Sequence, residues 1–227
     1  RVFGHGWILS DDKKMSKSLG NILDPIEIIN KYGIDQLRYY LVKEVSLGND
    51  GSISMDNLKN CINNDLANNY GNLCQRVFAF IKKNCNNKIP KNKNISKIDE
   101  KLLNSLQENI PSLIDLMNNQ NLNEYVKTVV SFCFEANKYF NDSEPWSVKK
   151  HDPERMNSIL NTIVQQIKNI SILLYPIIPD SSKKVLSTIN IDDKHIKLSS
   201  IKSQNLFDYN MELKNLKILF TKVENDN

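Results

Sequence analysis

Apolar residues recur at helical spacing along most of this chain, and only its first residues and its tail break that rhythm. Val2, Phe3, Trp7, Ile8 and Leu9 predict a strand over residues 1–9, followed by a polar loop at 10–21. Asp24-Pro25-Ile26-Glu27 predicts a helix start, with Asp24 as N-cap, Pro25 at the first helical position and Glu27 closing a capping box. Gly33 is its stop signal. A second helix runs through Leu37, Tyr40, Leu41 and Val45, and Gly48-Asn49-Asp50-Gly51 marks a turn.

From Met55 to Cys85, Leu58, Ile62, Leu66, Tyr70, Leu73, Val77, Phe78 and Ile81 describe one long amphipathic helix. Residues 86–97, with Pro90 among lysines and asparagines, read as a linker. Three helical patterns follow. The first runs from Leu102 to Met117 with Pro111 placed to bend it, the second from Leu122 to Phe140, and the third from Met156 to Leu174 before Pro176. A short helix over 181–187 is expected, and the tail from Ile189 gives no clear pattern. The predicted fold is mainly α: a small α/β junction followed by an antiparallel helical bundle, divided as 1–52, 53–188 and a tail at 189–227.

The 227 residues carry a formal net charge of only +4, so contact with a polyanion has to come from local clustering. Cys61, Cys74, Cys85 and Cys133 have no C-x-x-C spacing and no neighbouring histidine, which argues against zinc. Cys61, Cys74 and Cys133 fall on apolar helix faces and read as buried reduced thiols, in keeping with the cytosol. No apolar run is long enough to span a membrane, so a soluble, cytoplasmic protein without a membrane partner is expected. The start at Arg1-Val2-Phe3, without methionine, reads as a truncation.

Two constellations carry chemistry. The first is Lys14-Met15-Ser16-Lys17-Ser18, in which two lysines three residues apart sit in a polar loop after an apolar strand. Lysines so spaced can approach one phosphate chain from two directions, and lysine suits that task as a compact point charge. Ser16 and Ser18 add donors, and Met15 can anchor the loop; an exposed basic hairpin tip is the plainer reading. His5 is placed either to line a nucleotide pocket or to serve the strand structurally. The second constellation is Asn72 and Arg76, one helical turn apart, with Asp65, Asn68 and Asn69 extending the polar stripe. Such a panel can address the edges of unstacked bases, or be simply a solvated face. The lysines at 82, 83, 88, 91, 93, 97 and 101 lie near nucleic-acid phosphates or are merely solvated.

The loop, with Gly6-Trp7 before it and Leu19-Gly20-Asn21 after it, resembles the KMSKS loop of class I aminoacyl-tRNA synthetases. Lys31 to Tyr40, Asp65 to Leu73, Ala136 to Trp146 and Leu174 to Pro179 are similar to methionyl-tRNA synthetases in particular. Ile218 to Glu224 resembles that family's closing segment, with Thr221 where a proline is usual, and Lys13 stands where the family often has an acidic residue.

The resemblance implies ATP-dependent activation of methionine and transfer to tRNA(Met), with ATP and its Mg2+ as the nucleotide partner. Lys14 and Lys17 would stabilise the departing pyrophosphate, and His5, Met15, Ser16 and Ser18 would belong to the same ATP site. Asn72, Arg76 and Trp146 would read the anticodon; Trp146 otherwise seals a helix junction. Residues 1–52 would then be the end of a catalytic domain and 53–188 the anticodon-binding domain. The remaining catalytic half would precede Arg1, so this segment alone is expected to be inactive. The competing readings are another KMSKS-bearing synthetase (isoleucine, valine, leucine or cysteine), a non-catalytic tRNA-binding module, or a helical scaffold without an RNA role.

Overall fold

A computed structural model of the chain describes residues 2, 4, 6–201, 203 and 206–224. Arg1, Phe3 and His5 lie outside the described residues, so the expectations attached to Phe3 and His5 have no structural counterpart here.

The junction is a small three-stranded sheet with two helices. Strand β1 (Ile8–Ser10) pairs antiparallel with β2 (Lys13–Lys14) and parallel with β3 (Gly51–Ile53), giving the order β2-β1-β3. The expected strand over 1–9 is corrected: it begins at Ile8, where pairing with Gly51 supplies the first ladder partner. Trp7, counted among its apolar members, is 66% exposed. Parallel pairing of β1 with β3 needs a crossover, and α1 (Pro25–Tyr32) and α2 (Ile34–Glu44) provide it. Asp24 caps α1 by accepting from Ile26 N–H at 2.7 Å, and Gly33 ends it at φ +108. Among the described residues the reciprocal bond expected from Glu27 is absent, and Glu27 serves as an acidic residue in the first turn. A complete capping box forms instead at Ser96 and Asp99.

The long helix of the bundle has a phase change inside it. It begins as α3 (Met55–Cys61), opens into a π-helical segment (Ile62–Gly71) and closes again as α4 (Asn72–Asn84). The wider turns bring seven of the ten residues of the segment inward, Asp65 and Asn69 included. Gly71 is required there, because a Cβ would stand 2.9 Å from the Leu66 carbonyl oxygen and 3.3 Å from Phe220 Cδ2. The expected helix across Leu102–Met117 is two helices, α5 (Lys97–Glu108) and α6 (Ile110–Asn118). The break falls at Asn109, and Pro111 sits in the first turn of α6, where its missing N–H leaves nothing unpaired.

α7 (Leu122–Asp142), the short α8 (Pro145–Val148), α9 (Pro153–Leu174) and α10 (Pro179–Thr188) complete the bundle. α9 is its centre, buried at almost every position from Met156 to Leu174. Cys61, Cys74 and Cys133 are buried free thiols, and burial pushes the Cys61 thiol up to about 12.

Long polar side chains join the parts. Arg38 of α2 donates to the carbonyls of Ile177 (2.8 Å) and Pro176 (2.9 Å), and Asp35 accepts from Ser181 N–H at the start of α10 (2.6 Å). The tail runs back along the long helix. Asn63 exchanges two 2.8 Å bonds with the backbone of Val223, and Phe220 packs on Tyr70. Lys168, buried on α9, donates to the carbonyls of Ser200 (3.0 Å) and Ser203 (2.8 Å) and holds the start of the tail.

Candidate functional site

The first expected site is the loop between β1 and α1. Asp11 and Asp12 link β1 to β2 with φ values of +47 and +63, the signature of a tight two-residue hairpin turn. Asp12 N–H donates to Ser52 Oγ at 2.8 Å, which fixes the hairpin to β3. Lys14 therefore leaves the sheet at its edge. Lys17 lies in the single 3-10 turn that follows (Lys17–Leu19), capped by Ser16, whose Oγ accepts from Leu19 N–H at 3.3 Å. Gly20 closes the turn in the left-handed region at φ +63.

Both lysines are exposed, and among the described residues neither pairs with a carboxylate. Lys14 Nζ stands 4.9 Å from the Trp7 ring centroid, a contact of cation–π type. Met15 is half-buried, Ser18 is exposed, and the Ser16 and Ser18 hydroxyls lie 3.2 Å apart. One residue organises this loop without having been singled out in the sequence. Asn21 accepts from Ser16 N–H (2.9 Å) and donates to the Lys14 carbonyl (3.2 Å), tying the two ends of the loop together. Its signal in the sequence is its place in Leu19-Gly20-Asn21, directly after a turn glycine.

The second expected site lies on α4, α7 and α8. Asn72 and Arg76 share the outer face of α4, and the stripe continues backward through Asn68 and Asn64. The expected extension through Asp65 and Asn69 is corrected. Asp65 is buried against Tyr39 Oη (2.9 Å) and Lys43 Nζ (2.7 Å), and Asn69 Oδ1 accepts from Asn137 Nδ2 (2.8 Å). The π-helical turns cause this, since residues four apart stay nearly in phase there while residues three apart do not.

Arg76 is already positioned. Its Nη2 donates to Asn141 Oδ1 at 2.6 Å, and its guanidinium lies 5.4 Å from the Phe140 ring centroid. The same ring meets Trp146 edge-on at 5.9 Å, with Phe80 on it at 6.4 Å. Glu144, in the left-handed region at φ +40, reverses the chain so that Pro145 can start α8 and Trp146 can project beside Phe140. Trp146 is 39% exposed, so the indole both packs and leaves a face to solvent. Lys149 at the end of α8 donates to Asn84 Oδ1 at 2.8 Å, which fixes α8 to the end of α4. Arg76 and Trp146 thus meet on Phe140, with Asn72 one turn before Arg76 on α4, and sequence reasoning missed the roles of Phe140 and Asn141.

Behind that surface, Tyr139 points the opposite way from Phe140. Its Oη donates to Asp99 Oδ1 at 2.6 Å, and Arg155 donates to both carboxylate oxygens. Burial works to raise the Asp99 pKa, but the hydrogen bonds from Arg155 and Tyr139 outweigh it and hold the carboxyl below its usual value.

The chain is similar to known proteins along its whole length. Residues 1–78 match the family of tRNA synthetases class I (M), and residues 89–227 match the anticodon binding domain of methionyl tRNA ligase. Methionine–tRNA ligase of Brucella suis is 39% identical over 191 residues, which are 84% of this chain and 37% of that protein. The Ureaplasma parvum protein of the same name is 39% identical over 210 residues, 92% of this chain and 40% of its own length. The solved Mycobacterium tuberculosis methionyl-tRNA synthetase in complex with methionyl-adenylate superposes with a TM-score of 0.91 at 28% identity, covering 97% of this chain and 44% of that one. The chain therefore spans about two-fifths of the length of the curated relatives it matches.

Proposed function

The chain belongs to the methionyl-tRNA ligase family of class I tRNA synthetases, and from that premise we propose that it supplies the ATP loop and the anticodon-reading surface of such a ligase. The reaction is ATP-dependent activation of methionine to methionyl-adenylate, followed by transfer of the methionyl group to tRNA(Met).

In the first step the methionine carboxylate attacks the α-phosphate and pyrophosphate departs. Lys14 and Lys17 approach the β and γ groups as negative charge builds on them, which favours the transition state over bound ATP. Among the described residues neither has a carboxylate partner, which supports this role, since no ion pair there has to break first. Magnesium, carried by the nucleotide, adds charge neutralisation at the same phosphates. Met15 anchors the loop, Ser16 and Ser18 hold its turn, and His5 remains proposed for the nucleotide pocket.

The observation that carries the RNA half is that Arg76 and Trp146 meet on the Phe140 ring, with Asn72 one turn before Arg76 on α4. A partly exposed indole and a preset guanidinium one turn from the Asn72 amide suit bases splayed out of a loop. Binding of RNA stem-loops carrying CAU or GAU tests it: preference for CAU, abolished in Arg76→Ala, is expected, and indifference to the loop sequence overturns the reading. The activity is proposed for the ligase as a whole. The segment by itself neither activates methionine nor charges tRNA, and pyrophosphate exchange by the isolated 227 residues above background would overturn that.

A further inference from the structure

Alongside the anticodon-reading face runs a cleft of about 440 Å3 between α4 and the returning tail. One wall is Gln75, Ala79 and Lys82, the positions that follow Asn72 on successive turns of α4. The other wall is Asn87, Lys214 and Asn215, and Phe78, Leu213 and Leu216 add apolar lining. That second wall is fixed in place: Leu213 N–H donates to the Asn87 carbonyl (2.8 Å), Lys214 N–H donates to the Thr188 carbonyl (3.0 Å), and Asn190 Nδ2 donates to the Glu212 carbonyl (2.9 Å). Among the described residues no carboxylate lines the cleft, and Glu212 beside it accepts from Asn87 Nδ2 at 3.1 Å.

The structure separates the lysines of this region into those that are engaged and those that are not. Lys93 is paired with Glu154, and Lys91 lies over the Tyr209 ring. Lys82 and Lys214 are exposed on opposite walls of one cleft, with no carboxylate partner among the described residues. Two ammonium groups with the amides of Gln75 and Asn215 between them, beside the apolar Phe78, Leu213 and Leu216, match a phosphodiester and the sugar attached to it.

We propose that this cleft holds the sugar-phosphate backbone of the RNA whose loop meets Asn72, Arg76 and Trp146, with Lys82 and Lys214 on either side of one phosphate. The proposal rests on the RNA reading above and extends it to a surface that carries affinity without sequence information. It also assigns the tail a function: residues 213–215 are the second wall of an RNA groove as well as a strap on the bundle.

The test measures binding of CAU and GAU stem-loops to the 227-residue chain over a range of salt concentrations, for wild type, Lys82→Ala/Lys214→Ala, Arg76→Ala and Lys127→Ala. Lys127 is on the far side of α7, paired with Glu124, and serves as a control for simple loss of charge. The double variant is expected to weaken both stem-loops by the same factor and to lower the slope of log K against log salt by roughly 1 to 2. Arg76→Ala is expected to lose discrimination between the loops, and Lys127→Ala to leave both readouts unchanged. If wild type prefers CAU and the double variant keeps the wild-type slope, the groove is refuted while the reading face stands. If wild type binds neither stem-loop, the RNA reading itself fails and takes the groove with it.

Discussion

The two candidate sites are built in opposite ways. The loop at 10–21 presents its lysines to solvent and is held by a handful of hydrogen bonds, several of them from Asn21 and Ser16. The face on α4, α7 and α8 is assembled before any ligand arrives, with Arg76, Phe140 and Trp146 packed in series and Asn141 fixing the guanidinium. The contrast follows from what each would have to do. A group that accelerates phosphate departure has to gain contact as the transition state forms, so preset contact with the ground state would waste its binding energy. A group that discriminates between bases gains from rigidity, since every rotamer frozen in advance lowers the cost of recognition.

The sharpest way to break this comparison is at the lysines. In a full-length ligase carrying this segment, Lys14→Ala or Lys17→Ala is expected to slow adenylate formation by roughly 100- to 1,000-fold, with ATP affinity nearly unchanged. Single-turnover pyrophosphate exchange checks it. A loss expressed wholly in ATP binding would mean that the loop is a ground-state clamp, preset like the face on α4, α7 and α8.

The rigidity of the other site can be attacked from behind. Tyr139 and Phe140 are neighbours, and the first is locked to Asp99 and Arg155 while the second lies under Arg76. Arg155→Met leaves the buried Asp99 carboxylate without its cation and is expected to lower stability by about 3 kcal/mol at neutral pH. The sign with pH follows from the depressed Asp99 pKa. Wild type's advantage is complete above the unfolded value of about 4, and disappears as the pH falls through the lower folded value. Urea melts of both proteins between pH 7 and pH 2 read it directly, and a gap that persists in acid would show that the ion pair is not its source.

Trp146→Ala removes the exposed indole and is expected to weaken RNA stem-loop binding by about 1–3 kcal/mol. Because Phe140 also loses its edge contact, Trp146→Leu separates packing from stacking: it should recover thermal stability but not RNA affinity. Recovery of both would make the tryptophan a junction seal and nothing more.

The helices were legible because apolar residues every three or four positions leave little other choice, and Leu122–Asp142 and Pro153–Leu174 lie close to where that spacing put them. What escaped carries no periodic signal. Strands of two or three residues, such as Lys13–Lys14 and Gly51–Ile53, are specified by their partners and not by their own sequence. The π-helical segment is invisible to an α-helical count, since Leu58, Ile62, Leu66 and Tyr70 satisfy both. Its effect fell on the candidate site, where Asp65 and Asn69 turned inward and Asn68 stayed out. Phe140 closes a helical pattern and Asn141 follows it, both within the Ala136–Trp146 resemblance, and neither signals a site role, because only the approach of α4 and α8 gives them one.

The smallest expected effect bears most closely on how the loop differs from the preset face. Asn21 spans it with one accepted and one donated bond, from Ser16 N–H and to the Lys14 carbonyl. Removing such a pair at an exposed site costs about 1 kcal/mol, which is roughly a fivefold faster exchange of the Ser16 amide. Asn21→Ala is therefore expected to accelerate that exchange in the free chain. Asn21→Asp, which keeps the acceptor and loses the donor, is expected to retain part of the protection. The rate of adenylate formation should hardly change in either variant, because nucleotide contacts to Lys14 and Lys17 would re-form the loop at the moment they are needed. A large loss of rate from Asn21→Ala would mean that the loop is preorganised after all, and that the two sites work by the same principle.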